Sequence, residues 1–143
     1  MTTPELVLTR TIAVARDVVY DAWLDPQSLA KFMCPAPGVW VGRADVDAKV
    51  GGAFEIVMVV GDAELPHTGE YRVLDRPARL SFTWCSKIAG DGSVVDIELA
   101  ELDATTTELK LIHRGLPTNE ARENHTGGWT HILETLDGVL TAA

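Results

Sequence analysis

Two rhythms run through the chain. The first is a period of two. Glu5 to Val14 is rich in Leu, Val, Thr and Ile and reads as a strand. Trp40, Gly42, Ala44 and Val46 then alternate with Val41, Arg43, Asp45 and Asp47. Phe54, Ile56, Met58 and Val60 share a face. So do His67, Gly69, Tyr71 and Val73, then Leu80, Phe82 and Trp84, then Val95, Ile97 and Leu99, and last Leu109, Leu111 and His113. Gly51-Gly52, Asp75-Arg76-Pro77 and Gly90-Asp91-Gly92 mark turns or bulges between these runs. Short strands with one apolar and one polar face predict an antiparallel sheet of about six to seven strands, dry on one side.

The second rhythm is helical. Val18, Val19, Ala22 and Trp23 fit a helix over 15–24, and Pro26 is placed to begin another through Phe32. Pro35-Ala36-Pro37-Gly38 is a loop. Thr118 is a candidate N-cap for a long helix over 121–140, with Trp129, Ile132, Leu133, Leu136, Val139 and Leu140 on one stripe. That helix must cover the dry face of the sheet, because no other segment can. The expected fold class is α+β: a curved sheet around a C-terminal helix, two short helices after the first strand, and one domain over residues 1–143. A sheet of this length curls, and one helix seldom fills the concavity, so an apolar cavity is expected between them.

Composition narrows the partners. Hydrophobic residues make up 46% and charged residues 23%, which excludes extensive disorder. The net charge of -9 repels phosphate backbones and anionic lipid surfaces, so neither nucleic acid nor membrane is an expected partner. No apolar run approaches the roughly 20 residues of a membrane span. Met1-Thr2-Thr3-Pro4-Glu5 carries no basic or apolar leader, so no signal peptide is expected. Cys34 and Cys85 have no CxxC spacing and read as two free thiols in the cytoplasm.

Residues along the chain resemble the START-like (SRPBCC) superfamily, and within it the bacterial-type branch similar to the activator of Hsp90 ATPase. They are Arg10-Thr11-Ile12, Val19-Tyr20-Asp21-Ala22-Trp23, Gly51-Gly52-Ala53-Phe54 (the Gly-Gly-x-Phe motif), His67-Thr68-Gly69-Glu70-Tyr71, Leu80-Ser81-Phe82-Thr83-Trp84, His113-Arg114-Gly115-Leu116-Pro117 and His125-Thr126-Gly127-Gly128-Trp129. The resemblance implies the helix-grip fold with an internal hydrophobic cavity. It implies no single function, since members bind lipids, hormones and polyketides, some cyclise polyketides, and the namesake contacts a chaperone. Many relatives carry an aromatic pair followed by Gly-Pro where this chain has Phe32-Met33-Cys34-Pro35. That segment is expected to line or gate the cavity mouth, so ligand preference should differ.

The expected function is binding of a small, hydrophobic or aromatic ligand. One alternative is an enzyme of the polyketide cyclase or hydrolase type using a pocket histidine. The other is a chaperone-interacting protein. The candidate ligand-binding residues are Trp40, Phe54, Met58, Tyr71, Trp84, His113, His125 and Trp129. Each has a plainer reading as core. His113 faces the helix, either as a satisfied core histidine or as a polar anchor. His125 lies one turn before Trp129, either tying down the helix start or touching ligand. Gly127-Gly128 should cost roughly 1 kcal/mol per glycine within a helix, offset by close approach of a strand or by room for a ligand. His67 reads as an exposed strand-end residue. Arg10 needs an acidic partner. His125 and His131, six apart, fall on different helix sides and form no metal pattern. No metal, cofactor or catalytic residue is assigned: nucleophile elbow, phosphate loop and dinucleotide fingerprint are missing. A homodimer is left open.

Overall fold

The computed structural model describes residues 4–142; Met1–Thr3 of the N-terminal stretch lie outside the described residues. Strand β1 (Leu6–Ile12) leads into two short helices, α1 (Arg16–Ala22) and α2 (Pro26–Phe32). Six strands follow: β2 (Trp40–Val46), β3 (Ala53–Val60), β4 (Ala63–Asp75), β5 (Arg79–Ser86), β6 (Gly90–Asp103) and β7 (Thr106–Arg114). Helix α3 (Asn119–Thr141) closes the chain. The strands form one sheet in the order β1-β7-β6-β5-β4-β3-β2, every adjacent pair antiparallel. This is the helix-grip arrangement.

The helix boundaries follow from local chemistry. Asp25 accepts a hydrogen bond from the Gln27 backbone N–H at 3.2 Å, and Pro26 opens α2 with its φ already helical. Thr118 Oγ1 accepts from the Ala121 N–H at 3.0 Å and starts α3. The buried face of α3 runs from Ala121 through His125, Trp129, Ile132 and Leu133 to Leu136. It meets Ile12, Leu80, Val95, Ile97, Leu109 and Leu111 on the concave side of the sheet, all fully buried. Each such side chain contributes about 1.5–3 kcal/mol.

Three departures from the simple alternation position the site. In β2 the register with β3 slips between Val41 and Arg43. That bulge turns Val41, Ala44 and Val46 inward and leaves Trp40 57% exposed, so the expectation that Trp40 faces the concavity is corrected. The β3–β4 hairpin turns at Gly61-Asp62, with φ 57° at Gly61, and its tip runs past the end of β5. Pairing of β4 with β5 begins only at Thr68↔Cys85, so residues 63–67 pair with β3 alone. Pro66 is tolerated there because that side of the strand has no partner needing its missing N–H. Finally, Asp96 points outward but is only 4% exposed, because Arg79 and Arg114 on the flanking strands reach over it at 2.8 and 3.3 Å. Arg10 has its acidic partner as well: its Nε donates to Asp137 Oδ2 at 2.9 Å.

Candidate ligand-binding site

At mid-sheet the concavity is filled. The two short helices, not α3 alone, do the filling. Trp23, Leu29, Phe32 and Met33 enter from them, and Phe54, Tyr71, Phe82 and Trp84 rise from the sheet. Their rings interlock: Trp23–Phe32 at 5.1 Å, Phe54–Phe82 at 5.4 Å and Phe54–Tyr71 at 5.3 Å between centroids. The space left among them is about 10 Å³, on the scale of a single water. Phe54 and Tyr71 border this void and not the recess described next. Burial pushes the Tyr71 hydroxyl well above the usual phenol range.

Open space lies toward one end of the helix. A recess of about 550 Å³ is bounded by α3, by Pro35–Pro37 of the α2–β2 loop, by Met58, Leu65 and His67 of the protruding hairpin, and by Trp84 and Ile88. Gly127 and Gly128 form part of the helix wall. A Cβ at Gly127 would meet nothing within 4 Å, and one at Gly128 would meet only Pro35 Cβ, at 3.3 Å. The close neighbour of the glycine pair is therefore a loop and not a strand. Trp84 borders both the inner void and the recess. Of the eight candidates, Met58, Trp84, His125 and Trp129 meet at this recess; Trp40, Phe54, Tyr71 and His113 lie elsewhere.

His113 is sealed. Trp129 Nε1 donates to its Nδ1 at 3.0 Å, so Nδ1 holds the lone pair and Nε2 the proton. Nε2–H donates to Ser93 Oγ at 2.9 Å, and Ser93 Oγ–H donates to the Trp84 carbonyl at 2.7 Å. All three side chains are buried and every polar atom in the chain is used. Burial first, and the nearby His125 second, hold the His113 pKa down to about 3. A protonated ring would also set a second N–H against that of Trp129.

Two residues not singled out for binding stand on the recess. His67 stacks on Trp84 with centroids 5.0 Å apart, and His131 borders the recess from the far flank of α3. The periodicity does separate His125 from His131, but the glycine pair lets the recess wrap the helix and reach both. His67 was legible as sharing the inward face of Tyr71; its burial depends on the hairpin overhang. Among the described residues no three His, Cys, Asp or Glu side chains are placed to hold a metal ion. Both cysteines are free thiols.

The comparisons agree with this architecture. Residues 13–141 match the family model of the activator of Hsp90 ATPase homolog 1-like protein. The chain belongs to that family. Among solved structures, a protein of Chromobacterium violaceum is 28% identical with a TM-score of 0.88, covering 97% of this chain and 99% of its own. The AHSA1 protein of Silicibacter pomeroyi is 29% identical with a TM-score of 0.81, over 96% and 97%. An Hsp90 activator of Plasmodium falciparum shares the fold at 23% identity and a TM-score of 0.75, over 95% of each chain. Comparison with curated proteins finds no match. No helix among the described residues is long and apolar enough to cross a membrane, which does not bear on β-barrels.

Proposed function

We propose that this protein binds a small, largely apolar molecule in the recess between α3, the α2–β2 loop and the β3–β4 hairpin. The observation that carries the reading is the glycine pair. Gly127 and Gly128, two of the three glycines in the 23-residue helix, cost about 1 kcal/mol each and border the recess, and a Cβ at Gly127 would meet no atom within 4 Å. Helix stability is given up where room is kept. The volume of about 550 Å³ lies in the range of small-ligand sites, and the walls combine aromatic and aliphatic surface with a few polar atoms.

The test is a thermal-shift screen against aromatic, polyketide-like and fatty-acid compounds, run in parallel on Gly127→Leu. The variant puts an isobutyl group on the helix wall of the recess, at a position where a Cβ meets no protein atom within 4 Å. A stabilising compound should act on the parent by mass action, by about 2.7 kcal/mol at one hundred times Kd, and should lose its effect on the variant. Equal shifts in both proteins would place binding elsewhere.

A chaperone-related role is a second reading, favoured by the family name and by the likeness to the Plasmodium falciparum activator. Absence of any small-molecule shift together with measurable binding to a purified Hsp90 would favour it over the first. The enzyme reading has less support, because His113, the more deeply buried candidate acid or base, has both ring nitrogens engaged.

A further inference from the structure

The three histidines around the recess share a feature. A backbone carbonyl meets Nδ1 of each: Leu65 O for His67 at 2.9 Å, Ala121 O for His125 at 2.8 Å, and Cys34 O for His131 at 2.7 Å. A carbonyl can only accept. Each Nδ1 therefore carries a proton, and in the neutral ring Nε2 is a lone-pair acceptor. The carbonyls come from three separate elements, a strand, a helix and a loop, yet they set the same tautomer three times. No protein donor among the described residues reaches any of the three Nε2 atoms. His113, a ring's breadth away from His125, has the opposite tautomer and no free nitrogen.

The remaining walls fix the rest of the ligand's character. No Lys, Arg, Asp or Glu borders the recess. An ionised ligand would shed its hydration there without a counter-charge, which is costly. An anion would also enter a protein of net charge -9. Burial holds His67 and His125 below the ordinary histidine range, so both stay neutral acceptors at neutral pH.

We propose that the recess selects an uncharged aromatic or fused-ring molecule bearing a hydroxyl, and that this hydroxyl donates to Nε2 of one or more of His67, His125 and His131. The proposal rests on the small-molecule reading above and adds the ligand's polar chemistry to it. The apolar ring system would lie against Trp84, Met58 and Ile132, and the hydroxyl would supply the donor the histidines lack.

Three probes of one shape separate the two claims: 2-naphthol, its methyl ether 2-methoxynaphthalene, and 2-naphthoate, each titrated by calorimetry. The naphthol should bind about tenfold or more tightly than the ether, as expected when a buried acceptor is satisfied and not left bare. The carboxylate should bind weakest. Equal or tighter binding of the ether, or tightest binding of the carboxylate, overturns the donor proposal and leaves the binding reading standing. No binding of any probe overturns both. His67→Phe, His125→Phe and His131→Phe keep an aromatic ring and remove the acceptor. At least one should bring the naphthol down to the ether's affinity while the ether itself is unchanged. Should all three folded variants keep the full naphthol preference, the histidines are not its source. His67→Phe and His131→Phe, at half-buried positions, keep the test decisive if the buried His125 variant fails to fold.

Discussion

His113 and His125 stand 5.0 Å apart, ring centroid to ring centroid, and illustrate two different uses of one residue type. On the sheet side, His113 is a link in a closed chain from the Trp129 indole through Ser93 to the Trp84 carbonyl. Every donor in that chain has an acceptor, and the neighbouring aromatic interior, which Trp84 also borders, keeps a void of only about 10 Å³. On the helix side, His125 joins His67 and His131 around about 550 Å³, each with Nδ1 tied to a carbonyl, and at His67 the Ile56 carbonyl bears on the ring as well. Satisfied polar groups in a dense interior hold a structure together. Half-satisfied ones around open space await a partner. Trp84 and Trp129 belong to both regions, so the sealed chain also fixes the ring surfaces that border the recess.

If the two regions differ in this way, substitutions should divide accordingly. The largest effect is expected in the sealed interior. Leu111→Ala should destabilise by about 2–5 kcal/mol in urea titration, while Leu65→Ala on the exposed recess wall should cost less than about 0.5 kcal/mol and weaken probe binding instead. Next, His113→Phe removes the acceptor for the buried Trp129 N–H and should cost about 1–3 kcal/mol. An unchanged urea midpoint would show that the chain contributes nothing.

The pH response sharpens the contrast. The folded-state pKa of His113, about 3, lies below its ordinary 6.5, so the unfolded chain takes up the proton first as pH falls. Stability is complete above 6.5 and declines toward 3, by up to about 1.4 kcal/mol per pH unit. His67 and His125 are shifted in the same direction and add to the decline. Urea midpoints at pH 7 and pH 5 should therefore differ in the parent, and less so in His113→Phe. The smallest effect is at Gly127→Ala, expected to raise stability by up to about 1 kcal/mol while trimming probe affinity. A loss of stability would mean that the position is crowded.

Much of this architecture was readable from periodicity alone. The strand alternation, the two short helices, the Thr118 cap and the buried stripe of α3 follow from spacing and capping chemistry, which act locally. What escaped depends on register. Trp40 belongs to an alternating run, and only the bulge between Val41 and Arg43 shows that it points outward. The concavity looked too large for one helix, and so it is; Trp23, Leu29, Phe32 and Met33 from α1, α2 and the residues after them supply the missing volume. The part played by His67 depends on a hairpin outrunning its neighbour strand, and that of His131 on a loop carbonyl 97 residues earlier in the chain. Neither relation leaves a local mark. The ring-nitrogen tautomers are beyond sequence altogether, because they depend on which carbonyl each imidazole meets.

The central claim is that the recess histidines present bare Nε2 acceptors and that His113 does not. Long-range ¹⁵N–¹H correlation of the imidazole rings at neutral pH, without and with 2-naphthol, tests it directly. The account predicts the Nδ1–H form for His67, His125 and His131, the Nε2–H form for His113, and naphthol-dependent shifts at one or more recess Nε2 atoms while the His113 tautomer is retained. Recess rings in the Nε2–H form, or a response confined to His113, would contradict it.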